Sequence, residues 1–245
     1  MDINAIVTDV MGTQIISAFD NLDLFAVRKI NESHPGILRD VLNELTNVSS
    51  WEYRVAKAYE ALIKHKVPEY AYISAAQKAV KNAIVPESVE KAFKMVKNTL
   101  EKVTFVSGCS TYTLNPVVES KLKPLTNAHI KAFGSELGVS DGRFNSVNKI
   151  YGRIERIGLV REAVENDGIT VAIGDNDSNV NLDMVREGDY GIYISRWNSP
   201  DRKGKIFYAR PDQLHVVFRQ ILKEDKLPEQ INEIPPLTIR GCSYG

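Results

Sequence analysis

Short runs of apolar residues recur along the chain, and several of them are apolar throughout instead of alternating with polar residues. This pattern is typical of strands that are buried on both faces of a parallel sheet. Helical periodicity lies between most of the runs, so the chain predicts alternating strands and helices, and hence βαβ units. The predicted strands cover residues 5–7, 103–106, 129–133, 169–173, 191–194 and 206–208.

Three amphipathic faces predict helices that pack against this sheet. The faces consist of Val89, Phe93 and Val96, then Ile150, Ile154, Ile157 and Val164, and near the end Leu214, Val217, Phe218 and Ile221. The resulting fold class is α/β, with a doubly wound, mostly parallel sheet of the Rossmann-like kind.

The region between residues 21 and 82 breaks the alternation, because it carries helical faces and no convincing strand. Pro35, Pro68 and Pro86 punctuate these faces as helix boundaries would. We therefore predict a helical insertion directly after the first strand. The predicted division is a core domain of residues 1–18 and 86–230, a helical cap domain of residues 19–85, and an irregular tail of residues 231–245.

Composition and charge narrow the class of protein. The 245 residues are 43% hydrophobic, and Lys plus Arg and Asp plus Glu balance at 31 each, so no net charge favours nucleic acid or a membrane surface. No apolar run approaches the roughly 20 residues of a membrane helix, and the N-terminus does not resemble a signal peptide. The two cysteines are too few for a disulfide framework, so we expect a cytoplasmic protein with reduced thiols. The sequence does not indicate an oligomeric state.

Polar residues with distinct chemistry follow three of the predicted strands. Asp9 ends the first in TDVMGT, Ser107 ends the second in FVSGCS, and Asp175, Asp177 and Asn179 follow the fourth in AIGDNDSN. Ligands bind open parallel sheets at the carboxyl ends of strands, so these residues are expected to converge there. Carboxylates can hold Mg²⁺ or attack phosphorus, and a hydroxyl with nearby backbone N–H groups can hold phosphate oxygens.

In order and spacing, this set resembles the haloacid dehalogenase superfamily of phosphotransferases, particularly its phosphoserine-phosphatase-like branch. The first motif of that family is an apolar strand ending D-x-D-x-T, and here it reads D-V-M-G-T from Asp9 to Thr13. The second reads V-S-G up to Gly108, and the fourth reads G-D-N-D from Gly174. Residues 133–146 look like the strand and flap-like link of that branch, and the insertion looks like its helical cap.

The resemblance implies roles for the residues at the strand ends. Asp9 is the implied nucleophile and a ligand of Mg²⁺, together with the backbone carbonyl of Met11 and the carboxylate of Asp175. The implied phosphate-binding residues are Thr13, Ser107 and Gly108.

The chain also departs from the family pattern at supporting positions. Met11 replaces the second aspartate, normally the general acid and base, and methionine cannot donate a proton. The basic residue of the third motif is expected to be Arg153, with Lys149 as the alternative. Asn179 replaces the last acid of the fourth motif, and Asp177 could compensate for it.

Three functional hypotheses follow from these residues. The leading one is a Mg²⁺-dependent phosphohydrolase that acts on a small phosphorylated metabolite through an aspartyl-phosphate. The alternative is a protein of the same fold that has lost phosphatase chemistry and acts in binding or regulation. A third is carbon–phosphorus cleavage through a Schiff base on a lysine of the insertion, for which the candidates are Lys57, Lys64 and Lys66.

Overall fold

Eight strands form one sheet in the computed structural model, which describes residues 2–11, 22–46, 50–175, 179–195 and 201–224. The strands are β1 Ala5–Asp9, β2 Lys102–Ser110, β3 His129–Ser140, β4 Arg143–Lys149, β5 Thr170–Asp175, β6 Tyr190–Ile194, β7 Asp201–Lys203 and β8 Ile206–Ala209. Their order is β4-β3-β2-β1-β5-β6-β8-β7. The pairs β3–β4 and β7–β8 are antiparallel and the others are parallel. All six predicted strands are confirmed.

Strand β1 lies in the middle of the sheet and is buried over its whole length, as its continuous apolar run predicts. It runs parallel to both β2 and β5, with Asp9 opposite Val106 and Thr8 opposite Ile173. Because parallel neighbours end at the same edge, this register brings Asp9, Ser107 and Asp175 to one edge of the sheet.

Helices cover both faces of the sheet, so the doubly wound fold class is confirmed. The helices of the described residues are α1 Leu22–Ile30, α2 Ile37–Leu45, α3 Trp51–Lys64, α4 Glu69–Lys81, α5 Glu87–Val96, α6 Thr111–Val117, α7 Arg153–Asn166, α8 Asn179–Glu187 and α9 Leu214–Leu222. Helices α5 and α9 pack on one face, and α7 and α8 pack on the other. None of these helices combines the length and the apolar character that crossing a membrane requires.

The predicted apolar face of α7 is wrong at two of its four residues. Ile154 is 81% exposed, and Ile150 precedes the helix. The buried residues are instead Arg156, Val160 and Ala163, which follow the spacing i, i+4, i+7. A buried arginine thus shares a stripe with apolar residues, which a pattern of apolar positions alone does not predict.

Helices α1 to α4 fill the region of the predicted insertion. The described residues there form no strand, and only Pro68, which pairs with Arg143, and Ile84 are isolated bridge residues. These helices enclose much of a second apolar cluster, which includes Ile37, Leu62 and Tyr72. Leu137 and Phe144 of the β3–β4 hairpin complete this cluster. The predicted domain boundaries remain predictions, and the tail from residue 231 lies outside the described residues.

Candidate active site

A buried ion pair stands at the carboxyl end of β1. Nη1 of Arg156 donates a hydrogen bond of 2.7 Å to Oδ1 of Asp9, and both side chains are almost fully buried. Nε of Arg156 donates to the backbone carbonyl of Tyr151 at 3.1 Å, so the guanidinium is fixed from two directions. The pair therefore places a carboxylate and a guanidinium in contact among buried residues.

The ion pair continues into the acidic end of β5. The side-chain carbonyl of Asn181, on α8, accepts a short hydrogen bond from Nη1 of Arg156. The amide nitrogen of Asn181 donates to Oδ1 of Asp175 at 2.6 Å. Asp9, Arg156, Asn181 and Asp175 therefore form one chain of hydrogen bonds across the edge of the sheet.

The end of β2 contributes a hydroxyl and a glycine. The Ser107 side chain is buried and accepts a hydrogen bond of 3.1 Å from the backbone N–H of Cys109. At Gly108 a Cβ atom would lie 2.3 Å from the Trp51 indole, so no side chain fits there without moving that ring. Trp51 also lies against Arg156, whose guanidinium carbon is 5.1 Å from the ring centroid.

These groups open into a cavity of about 240 Å³ between the sheet edge and the helices of the insertion. Its polar end carries Asp9, Met11, Ser107, Gly108, Arg156, Asp175 and Asn181. Its other end carries apolar side chains of α1, α2 and α3. The insertion therefore lies over the carboxyl ends of the strands, at least where it lines this cavity.

Asp23 of α1 connects the insertion to the end of β2. Its carboxylate accepts hydrogen bonds from the Ser110 backbone N–H at 2.7 Å, the Ser110 hydroxyl at 3.0 Å and the Thr113 hydroxyl at 2.6 Å. The Tyr59 hydroxyl donates to it as well and lies 2.9 Å from the Gly108 carbonyl oxygen. Burial and the Asp23 charge raise the pKa of Tyr59 well above its usual value, so the phenol keeps its proton.

Cys109 lies in the same cavity and is buried. Burial and the nearby charge of Asp23 raise the pKa of its thiol, so the thiolate that a nucleophile needs does not form at neutral pH. Cys109 therefore acts as a small packing residue.

The structure places neither predicted basic residue against Asp9. Arg153 is mostly exposed at the start of α7 and pairs with Asp183 at 2.7 Å. The Lys149 ammonium lies 4.5 Å from the centroid of the Tyr151 ring. The side chain that contacts Asp9 is instead Arg156, one helical turn beyond Arg153.

The other predicted positions divide between described and undescribed residues. Met11 lines the cavity and packs against the core cluster. Thr13, Asp177 and the side chain of Asn179 lie outside what the structure describes. The predictions that concern them stay predictions.

Sequence reasoning missed Arg156, Asn181 and Asp23. For two of them a signal was present, because each is a charged residue in an otherwise apolar helical stripe. Asp23 shares its stripe with Ala26, Val27 and Ile30. Asn181 had no such signal, since an asparagine in the first turn of a helix is ordinary.

The donor set at the polar end fits a magnesium ion. Asp9 and Asp175 offer hard carboxylate oxygens to one cavity, and Mg²⁺ is usually bound by one or two carboxylates together with water and substrate phosphate. The described residues contain no group of three or more His, Cys, Asp and Glu that could enclose a metal ion. Oxygens of water, backbone and substrate would therefore have to complete the coordination.

Comparison with known proteins identifies the fold. No protein-family model and no curated protein matches the sequence. Among solved structures, an apo phosphoserine phosphatase has a TM-score of 0.61 at 19% identity, over 92% of this chain and 100% of that one. A substrate-bound phosphoserine phosphatase has a TM-score of 0.59 at 19% identity, over 79% and 87% of the two chains.

A third solved structure extends the same similarity. Phosphoserine phosphatase from T. onnurineus, in complex with NDSB-201, has a TM-score of 0.57 at 16% identity, over 89% of this chain and 95% of that one. The chain therefore has a haloacid-dehalogenase-like fold of the phosphoserine-phosphatase type, as its motifs predicted. At these identities the similarity establishes the fold and leaves the activity to be inferred from the site.

Proposed function

We propose that the protein is a Mg²⁺-dependent phosphohydrolase that acts on a small phosphorylated metabolite through an aspartyl-phosphate. The observation that carries the proposal is the position of Asp9. It is buried at the end of the central strand, beside Arg156, and it faces a cavity that Ser107 and Asp175 share. The similarity to solved phosphoserine phosphatases supports the same class of reaction.

In the proposed reaction, a carboxylate oxygen of Asp9 attacks the phosphorus of the ester. The bond from phosphorus to the alcohol oxygen breaks, and that oxygen leaves with the electron pair and takes a proton from water. Water then attacks the phosphorus of the aspartyl-phosphate, which releases inorganic phosphate and restores the carboxylate.

The surrounding residues each have a task in this scheme. Asp9, Asp175 and the Met11 carbonyl would hold Mg²⁺, which supplies charge stabilisation to the phosphoryl oxygens when it is bound. Arg156 orients Asp9 and adds a fixed positive charge beside the reacting phosphoryl group. Ser107 and the backbone at Gly108 would bind the remaining phosphoryl oxygens, and the insertion would act as the cap that excludes water.

The alternative is a protein that binds a phosphorylated ligand without hydrolysing it. Met11 favours this alternative, because it lines the cavity at the position where relatives by fold carry an acid. Without that acid, no protein group protonates the departing alcohol. Such proton transfer typically accelerates a reaction about 10²–10⁴-fold, so its loss slows hydrolysis.

Carbon–phosphorus cleavage receives no support from the lysines of the insertion. Lys64 pairs with Asp40 at 2.9 Å and is largely exposed. Lys57 binds Glu60, and this hydrogen bond raises the pKa of Lys57, whereas a Schiff-base lysine needs a lowered one. Neither of these lysines, nor Lys66, belongs to the described lining of the cavity.

A panel of phosphate esters, assayed with Mg²⁺ and with chelator, tests the proposal. We expect turnover that chelator removes and that Asp9→Asn abolishes, because the amide cannot attack phosphorus. Asp141→Asn, in the exposed turn between β3 and β4, is the matched control and should leave turnover unchanged. Retained turnover in purified Asp9→Asn would exclude Asp9 as the nucleophile, and an inactive native protein would favour the binding alternative.

A further inference from the structure

The cavity has two chemically different ends. One end holds the carboxylates, hydroxyl and guanidinium described above. The other end is walled by side chains from the helices of the insertion. Asp23, Trp51, Tyr59 and Tyr72 belong to this wall, and the rest of it is aliphatic: Leu24, Val27, Val41, Leu45, Val55, Ala58 and Leu62. A ligand whose phosphate reached Asp9 would therefore place the rest of its structure against hydrocarbon.

Among the described residues of the insertion, Asp23 is the carboxylate that lines this cavity, and its oxygens are already engaged. It accepts hydrogen bonds from the backbone N–H of Ser110 and from the hydroxyls of Ser110, Thr113 and Tyr59. A carboxylate offers about four lone-pair positions, so these donors use its capacity. Asp23 is thus a fastening between α1 and the end of β2, and it is not placed to receive an ammonium group.

The described lining also lacks a cation at the apolar end. Its arginine, Arg156, is bound to Asp9, Asn181 and the Tyr151 carbonyl at the polar end. The hydroxyls of Tyr59 and Tyr72 stay neutral, because burial and the Asp23 charge raise the pKa of both. Among the described residues of this end, a carboxylate or ammonium that entered would lose its hydration without gaining a charged partner, which is costly.

We propose that the cavity selects phosphate monoesters whose alcohol part is an apolar alkyl or aryl group, and that it rejects phosphorylated amino acids. This specificity rests on the proposed function, since it takes Asp9 and Arg156 as the phosphate end. It sets the chain apart from the phosphoserine phosphatases that share its fold, whose named substrate carries an ammonium and a carboxylate.

Binding of phosphonates tests the specificity without requiring turnover. Titration calorimetry in Mg²⁺ buffer would compare methyl-, butyl-, hexyl- and phenylphosphonate with 2-amino-4-phosphonobutyrate, a phosphoserine analogue in which carbon replaces the ester oxygen. We expect affinity to rise about fourfold per added methylene until the chain fills the cavity. The amino-acid phosphonate should bind more weakly than butylphosphonate.

Variants locate the effect in the apolar wall. Val27→Thr and Val55→Thr keep the side-chain shape but add a hydroxyl, so each should weaken hexylphosphonate binding at least about fivefold and leave methylphosphonate binding unchanged. Val216→Thr, at an exposed position on α9, is the matched control and should alter neither. The melting temperature of each variant shows whether it is folded. Because Val27 and Val55 are substituted separately, the specificity is tested at two positions.

The outcomes separate specificity from hydrolysis. Affinity that does not change with chain length, or tighter binding of the amino-acid phosphonate, would overturn the proposed specificity even if phosphate esters are hydrolysed. Rising affinity without turnover of any ester would overturn the proposed hydrolysis and leave the apolar specificity of the binding site in place.

Discussion

At the scale of single residues, Arg156 organises the polar end of the cavity. Its guanidinium binds Asp9 from β1, Asn181 from α8 and the carbonyl of Tyr151. A buried ion pair is not in itself strong evidence for stability, because desolvation of both charges offsets their attraction. Its value here is orientation, since the pair fixes the carboxylate that the proposed reaction uses.

Substitution of Arg156 should destabilise the fold by more than the loss of its own hydrogen bonds, because it leaves a buried carboxylate unpaired. Arg156→Met leaves Asp9 buried without its cation, and we expect the free energy of unfolding to fall by about 3–5 kcal/mol. The double variant with Asp9→Asn should recover part of this loss. Arg153→Met, which breaks an exposed pair with Asp183, is the control and should cost less than about 1 kcal/mol. Urea unfolding of the native protein, the three single variants and the double variant measures these changes. Strict additivity of Arg156→Met and Asp9→Asn would contradict the coupling.

Met11 gives a prediction about leaving groups. Without an acid at this position, esters of alcohols with high pKa should react slowly, whereas aryl and acyl phosphates leave as stabilised anions. We expect a steep dependence of rate on leaving-group pKa in the native protein. Met11→Asp should raise rates on alkyl phosphates by up to roughly 10²-fold, and Met11→Asn, which has similar size but no acid, should not. Equal native rates on phenyl and ethyl phosphate would mean that another group donates the proton.

The positions of site residues were predictable where a strand end dictated them. Asp9, Ser107 and Asp175 could be named because the carboxyl ends of neighbouring parallel strands meet at one edge, and the structure brings all three to the same cavity. The cation beside Asp9 was not predictable, because the prediction weighed Arg153 against Lys149, and the contact that Arg156 makes depends on how α7 is rotated against the sheet. That rotation is a property of tertiary packing.

At the scale of elements, the β3–β4 hairpin joins the insertion to the sheet. Phe144 packs between the rings of Tyr72 and Tyr112, with centroids 5.4 and 5.5 Å away. The backbone N–H groups of Glu69 and Phe144 donate to Gly142 and Val67 across the same junction. The hairpin therefore belongs to the apolar core of the insertion as much as to the sheet.

Helices α2 and α3 are fastened by a charge cluster that predicts a pH dependence. Asp40 on α2 accepts hydrogen bonds from Lys64 at 2.9 Å and lies 3.1 Å from Nε2 of His65. These interactions lower the pKa of Asp40 from 3.8 to about 2; the hydrogen bond with Lys64 has the largest effect and the one with His65 the second largest. A carboxyl group whose pKa is lower in the folded state stabilises the fold above its unfolded pKa, and this stabilisation is lost as pH falls through the folded pKa.

Asp40→Asn should accordingly lower the melting temperature at pH 5, and the difference from the native protein should shrink as pH falls from about 4 to about 2. Thermal unfolding followed by circular dichroism across this range measures both proteins. Asp141→Asn serves as the control, because no cluster of cations surrounds that exposed turn in the described structure. A difference that stays constant down to pH 2 would contradict the role of the Asp40 charge.

At the scale of the whole molecule, the strands of the sheet were easier to predict from the sequence than the buried faces of the helices. Continuous apolar runs mark strands that are covered on both sides, and every one of the six lies in the sheet. The edge strands β4 and β7 were missed as strands, because their residues are largely polar and exposed. An edge strand has one paired side and little burial, so it leaves a weak hydrophobic signal.

The convergence of β1 and β5 also predicts how a metal ion should affect the stability of the whole chain. If Asp9 and Asp175 hold Mg²⁺ in the folded state alone, Mg²⁺ at 100 times its dissociation constant should raise the free energy of unfolding by about 2.7 kcal/mol. Asp175→Asn should abolish this increment whatever it does to stability without metal, because it removes one of the two carboxylates, whereas Asp141→Asn should keep it. Urea unfolding in Mg²⁺ and in chelator measures the increment for each protein. If Mg²⁺ leaves the free energy of unfolding of the native protein unchanged and calorimetry shows no heat of binding, the two carboxylates do not form a metal site without a bound phosphate. The proposed reaction would then require metal and substrate to bind together.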